Sequence, residues 1–167
     1  MAKITFVDEN DNVIGSGWKS EVWAKGIIHR IARVFIFNSK GEILIQKRAE
    51  KLESLPGRWD QSAAGHVDEG ESYLEAAKRE LKEEVGISDV ELKEVKKFYT
   101  DEHDETKTKR RFNMLYTGVC DGDIQFNEEV SEVKWIQPTE LKEWMEKRPE
   151  DFTQGSIKAF KEYRINS

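Results

Sequence analysis

Gly65-His66-Val67-Asp68-Glu69-Gly70-Glu71, the seven residues Ser72 to Lys78, and then Arg79-Glu80-Leu81-Lys82-Glu83-Glu84-Val85-Gly86-Ile87 form the stretch that decides the fold. Its middle reads as one helix with both ends marked. Ser72 can cap the start, Glu75 three residues on completes a capping box, and Gly86 sits where a left-handed C-cap is wanted. At 100° per residue Leu74, Ala77, Leu81 and Val85 share one stripe, the expected core face. Glu80, Glu83 and Glu84 share a neighbouring stripe, where carboxylates at i, i+3 and i+4 repel by a few tenths of a kcal/mol per pair. Lys78 and Lys82 lie on another side, so the compensating positive charge must come from elsewhere. Hard cations such as Mg²⁺ choose carboxylate oxygens and fill their remaining positions with phosphate oxygens and water. A solvated acidic face is the plain alternative for a Glu-rich helix.

Upstream, Ile4–Val7 and Val13–Gly15 around Asp8–Asn12 read as a small β-hairpin. Arg33–Phe37 and Ile43–Arg48 around Asn38-Ser39-Lys40-Gly41 read as a stronger one. Downstream, strands are expected near 92–100, 111–119 and 132–136, and helices near 139–147 and 154–164. Strands mixed with helices in this order predict an α/β domain with a mixed sheet between helices. No repeat, low-complexity tract or linker divides the chain, so 1–167 is expected to be one domain.

Apolar residues make up 37% and charged residues 36% of the chain, in short periodic clusters that fit a folded core under a charged surface. No stretch approaches the roughly 20 apolar residues of a membrane span. A start without a secretory-type apolar segment points to a cytoplasmic protein. The net charge of −6 argues against holding a nucleic-acid polymer through its phosphates. A phosphorylated small molecule stays open, because a bound divalent cation reverses the local field. Cys120, the lone cysteine, is expected to be a small buried thiol.

The run from Gly65 to Ile87 resembles the Nudix box, with every defined position (Gly, Glu, Arg-Glu, aliphatic, Glu-Glu, Gly, aliphatic) filled. The resemblance implies a Nudix fold, α/β/α, with the box at 65–87 and residues 1–28 as an N-terminal hairpin extension. It implies a hydrolase that cleaves a diphosphate linkage in a nucleoside di- or triphosphate or a related derivative. Mg²⁺, with Mn²⁺ as substitute, would be held by Glu80, Glu83, Glu84 and the Ala64 carbonyl. In-line attack of a metal-activated water on one phosphorus is the implied chemistry. Gly65, Glu71, Arg79 and Gly86 would keep the loop–helix–loop in shape. Glu129, with Glu128 and Glu132 as competitors, matches a loop acid that completes such sites. The general base is Glu80 or Glu129.

Outside the box the chain is similar to isopentenyl-diphosphate isomerases through Val7-Asp8, Asn12–Gly15, His29-Arg30, Lys47-Arg48-Ala49, Pro56–Asp60 and Ser62–His66. That enzyme has a cysteine where Ala64 stands, and acids where Lys109, Arg110 and Arg111 stand. Two of its three metal histidines have counterparts in His29 and His66, while the earliest falls near Val22. The isomerase-like branch of Nudix hydrolases fits better than the isomerase itself, or than a non-catalytic nucleotide-binding module. His29 and His66 are then expected to be hydrogen-bonded structural residues. Arg48, Arg58 and Arg111 are the expected phosphate-binding residues. Asp101–Glu105 is expected to be a solvated hairpin tip. Trp59, Phe98 and Tyr99 could stack on a base, with core packing the commoner role. The substrate, by analogy a nucleoside di- or triphosphate and a pyrimidine one, and the oligomeric state are not fixed by these residues.

Overall fold

The computed structural model describes residues 2–103 and 107–166. Its organising element is β3 (His29–Phe37), a run buried on both faces, as a central strand should be. β8 (Thr108–Val119) runs parallel to it from His29↔Arg111 to Phe37↔Val119, while β6 (Ala63–His66) lies antiparallel along Ile31–Val34. β7 (Lys93–His103) joins β8 as a long antiparallel hairpin. β4 (Ile43–Arg48) pairs with β9 (Val130–Ile136) and with the two-residue β5 (Trp59–Asp60).

Alternation along β3 divides the core into two layers. Ala32, Val34 and Ile36 pack with Leu44 and Ala63 beneath α2 (Tyr73–Val85). Phe35 packs with Ile43, Ile45 and Leu115 beneath α3 (Pro138–Lys147) and α4 (Gln154–Asn166), through Leu141, Ala159 and Phe160. Mixed sheet between helices is therefore the observed α/β architecture. The N-terminal hairpin, β1 (Ile4–Val7) with β2 (Val13–Gly17), is joined to the rest by Phe6↔His29 and by Thr5 N donating to Val67 O at 3.0 Å.

Several expectations change. The strands of the expected second hairpin share only the Phe37↔Ile43 pair, because β6 and β8 occupy the two edges of β3 and β4 diverges to β9. α1 (Lys19–Lys25), β5 and β6 carry no sequence signal strong enough to have been expected. Leu74 is exposed rather than buried, and Ala76 takes its place inward. The Tyr73 hydroxyl donates to Asp11 Oδ2 at 2.9 Å beneath the Arg30 guanidinium, which turns Tyr73 inward and Leu74 out. Cys120 is half-buried against the α2 layer. The expected hairpin tip at Asp101–Glu105 falls partly outside the described residues. Among the described residues, no helix is long and apolar enough to cross a membrane.

Candidate active site

α2 has the ends its sequence prescribes. Ser72 Oγ accepts from Glu75 N at 3.1 Å, Glu75 accepts from Ser72 N at 3.0 Å, and Gly86 closes the helix at φ 69°. From within the helix, Arg79 ties the box together. Its Nε donates to Glu71 Oε2 at 2.7 Å and its Nη2 to Glu71 Oε1 and the His66 carbonyl, both at 2.9 Å. Glu71 in turn accepts from Asp68 N at 2.8 Å. The planar fork of arginine suits this bidentate task, and it keeps Glu71 below its usual pKa. Arg79 Nη1 also lies 2.6 Å from Glu80 and 3.5 Å from Glu83. Part of the compensating charge thus comes from within the box.

Gly65 faces α2, and a Cβ there would occupy the space of the Glu80 carboxyl. Glycine is required so that Glu80 can lie directly over β6. Burial pushes Glu80 up to about 7 despite Arg79, with Glu83 and Asp68 adding to the rise. Glu84 Oε1 accepts from Ala64 N and Gln46 Nε2, each at 3.1 Å. Although part of Glu84 is exposed, its carboxyl is enclosed by protein, and that desolvation followed by the charge of Glu80 raises it well above the usual range. Among the described residues Glu84 has no cation within ion-pair distance, while Glu83 is largely exposed at the rim.

No three acidic, histidine or cysteine groups among the described residues stand close enough to close around a metal ion, because Glu80 is turned onto Arg79. The donors nevertheless suit a hard cation. Glu84 is a desolvated carboxylate facing neutral donors and the field of a second carboxylate, the group that gains most from a divalent ion.

The loop before β9 reaches this end of the helix. Asn127 N donates to Glu84 O at 3.3 Å, and Glu129 O accepts from Ala49 N at 2.9 Å. Glu129 is exposed here, whereas Glu128 pairs with Lys51 at 3.6 Å and Glu132 lies on β9 opposite Lys47. Of the expected phosphate residues, Arg48 is drawn inward: its Nε and Nη2 donate to Ser54 O at 3.0 and 2.9 Å, and Asp60 lies 3.7 Å away. Arg58 Nη1 donates to Phe152 O at 3.4 Å beside an open cleft that Lys47, Glu50, Glu150 and Asp151 also line. Arg111 is nearly buried and pairs with Glu102 at 3.3 Å.

β6 has a second face. Ala64 pairs with Arg33 and His66 with Ile31, so both side chains stand on the face away from α2. Arg33 is 4% exposed, its Nε donating to Asn113 Oδ1 at 2.8 Å and its Nη1 to Gln61 Oε1 at 3.0 Å. His29 is fully buried and stacks on His66 at 5.4 Å between centroids. Its Nδ1 is 3.1 Å from Ile27 O, but its Nε2 has no partner, so the expectation of a fully hydrogen-bonded histidine fails for one nitrogen. Trp59 is packed against Trp144 and Phe98 against the α4 layer, which removes both as base platforms; Tyr99 is partly exposed against Phe112. Arg33, Gln46, Asp60 and Asn113 were not singled out in the sequence. A lone arginine inside the apolar run Ile31–Ile36 was the one available signal.

The NUDIX domain family model matches residues 28–155, and the chain belongs to that family. It is an enzyme of the Nudix hydrolase class, acting on pyrophosphate bonds. It is 38% identical to an uncharacterized Nudix hydrolase of Pseudomonas aeruginosa, over 81% of this chain and 78% of that one. It is also 36% identical to an isopentenyl-diphosphate Delta-isomerase of Serratia proteamaculans, over 98% of this chain and 92% of that one. A crystal structure of the Deinococcus radiodurans protein DR0079 superposes with a TM-score of 0.72 at 24% identity, covering 87% of this chain and 89% of that one.

Proposed function

We propose that this enzyme is a divalent-cation-dependent hydrolase of a diphosphate linkage in a small nucleoside di- or triphosphate or a related derivative. The observation that carries this is Glu84: an enclosed carboxylate, raised by burial and by Glu80, with only neutral hydrogen-bond donors. Glu80, Glu83, Glu84 and the Ala64 carbonyl would hold Mg²⁺ or Mn²⁺, and the ion would polarise a phosphoryl oxygen and acidify the attacking water. Gln46 and the Ala64 amide fix the Glu84 carboxyl, and Arg79 holds Glu80 until a cation competes for it. Glu80, which lies over β6 beside Arg79, is the first candidate to take the proton of the water, with Glu129 as the second. Water adds its oxygen to one phosphorus, the bridging oxygen leaves with the other phosphate, and one proton is released. Arg111, Arg48 and Arg58 are the basic groups offered to the phosphates.

The relative named as an isomerase keeps alkene isomerisation as the second reading. Against it stand Ala64, which has no proton to give, and a guanidinium at Arg111. A panel of nucleoside diphosphates, triphosphates and capped diphosphates, assayed with Mg²⁺ for wild type and Glu84→Gln, tests the proposal. Metal-dependent release of phosphate, lost in the variant, is expected. Absence of turnover on every diphosphate, or interconversion of the two five-carbon diphosphates, sinks it.

A further inference from the structure

Two buried side-chain atoms among the described residues have no hydrogen-bond partner: His29 Nε2 and Arg111 Nε. They belong to residues paired directly across β3 and β8, on the face of β6 away from α2. Unpartnered polar atoms inside a protein are costly, so two on cross-strand neighbours call for an occupant that answers both.

The chemistry of that occupant can be read from the two atoms. His29 Nδ1 faces the Ile27 carbonyl, which can only accept, so a neutral ring carries its proton on Nδ1 and presents a lone pair at Nε2. Arg111 Nε presents an N–H. The occupant must therefore donate to one and accept from the other. A water or a sugar hydroxyl could do both.

Charge decides between these and an anion. Arg33, in the same layer, bonds only to the amide oxygens of Asn113 and Gln61 and has no carboxylate within ion-pair distance among the described residues. The negative groups whose fields reach it are Asp60 and Glu102. Asp60 is already shared with Arg48, and Glu102 with both Arg111 and Lys158. Cations outnumber carboxylates here, and burial, followed by the charge of Arg111, pushes the Arg33 guanidinium down to about 9. A hydroxyl would leave that excess unanswered. A carboxylate would answer the charge but has no proton for His29. A phosphate monoester end, whose second pKa is about 6, can be held here in its singly protonated form, giving one O–H to His29 Nε2 and its anionic oxygens to Arg111 and Arg33.

We propose that His29, Arg111 and Arg33 form a pocket for the terminal phosphate of the substrate, so that the enzyme selects diphosphates with a free phosphate end over those capped at both ends. This rests on the proposed hydrolase reading for the source of the phosphate. β6 lies between the pocket and the metal-binding helix, and Asp60 is the carboxylate whose charge acts on both, on Arg33 and Arg111 and on Glu84. Ala64 offers its amide to Glu84 and its side chain to the face of Arg33.

The test compares a nucleoside diphosphate with its terminal methyl ester, as kcat/KM and as shifts of the Arg111 Nε–H resonance in the ¹⁵N spectrum of the wild-type protein. Wild type should favour the free end by about 10- to 100-fold, the range of a charge-assisted hydrogen bond. Arg111→Gln should bring the ratio near one, and Arg111→Lys, which keeps the charge without the Nε–H, should recover only part of it. Inorganic phosphate and the free diphosphate should both move the resonance and the methyl ester should not. Equal kcat/KM for free and capped ends in wild type, or a resonance indifferent to phosphate, overturns the proposal. A resonance moved by inorganic phosphate but not by the diphosphate assigns the pocket to a free anion and equally overturns it. Absence of turnover on all diphosphates removes the hydrolase reading alone; the resonance titration with diphosphate and ester still decides this one.

Discussion

The two faces of β6 make opposite electrostatic errors. On the α2 side, Glu80 and Glu84 are carboxylates pushed up by burial, with Arg79 the one cation beside them among the described residues and Glu84 out of its reach. On the other side, Arg33, Arg111 and Lys158 share carboxylates too few to balance them, and His29 is held neutral. Burying an unbalanced charge is costly, and stability alone gives no reason to keep it. A cation for one face and a phosphate for the other would resolve both, which is the physical core of the functional proposal.

The largest test of this contrast is Glu84→Gln. Turnover should fall roughly a thousandfold or more, the scale of losing several kcal/mol of charge stabilisation. Thermal stability of the metal-free protein should hold or rise, because a desolvated charge is removed. A melting temperature that drops along with activity would place Glu84 in the architecture instead of the chemistry.

The pH response should separate the two faces. Glu80 is raised to about 7, so the folded state holds a proton that the unfolded state has lost, and this contribution is full below about 4.5 and vanishes as pH rises through about 7. His29 is lowered to about 4, so its contribution is full above about 6.5 and is lost as pH falls toward about 4. Each amounts to about 3 kcal/mol and they oppose one another. Denaturant titrations of metal-free protein should therefore give a shallow profile for wild type between about pH 4.5 and about pH 6.5, the two unfolded-state values. Stability should climb with pH in Glu80→Gln and decline with pH in His29→Gln. Parallel profiles in all three proteins would remove the contrast.

Asp11 provides a fully paired carboxylate for comparison. It accepts from Arg30 at 2.7 Å, Lys97 at 2.8 Å and Tyr73 at 2.9 Å, and these partners hold it below its usual pKa despite burial. Its φ of 64° suits asparagine, so Asp11→Asn keeps the turn while deleting the charge. Here loss of charge should destabilise, by about 3 kcal/mol in chemical denaturation, where at Glu84 it should not. The smallest effect is expected of Arg79→Lys. A point charge cannot replace the fork to Glu71 and Glu80, and about 1–2 kcal/mol of stability should be lost. A neutral result would mean that the fork is not what holds the box.

What the chain discloses depends on distance along it. α2 was legible to within a residue because Ser72, Glu75 and Gly86 act on their own neighbours. β5 and β6 are too short to show a period, and α1 has Trp18 at its N-cap, a residue whose side chain makes no cap bond. The parallel alignment of β3 with β8 leaves no local trace, so a turn-like Asn38–Gly41 was read as joining a simple hairpin. The same gap hid Arg33. Its partners Asn113 and Gln61 lie far along the chain, and only the fold shows that it lacks a counter-ion. The box carboxylates needed no such help, since their crowding is written within one helical turn.

Because β3 gains its parallel neighbour only when Arg111–Val119 has been made, most of the sheet must wait for the second half of the chain. A ribosome-bound intermediate stopped before that segment would carry the box helix with nothing to cover the bare edge of β3. Long-range parallel pairing of this kind is slow to form and prone to off-pathway association. Synthesis of this enzyme should accordingly depend on holdase protection until β8 emerges, and amide exchange in the finished protein should be slowest along the β3–β8 ladder.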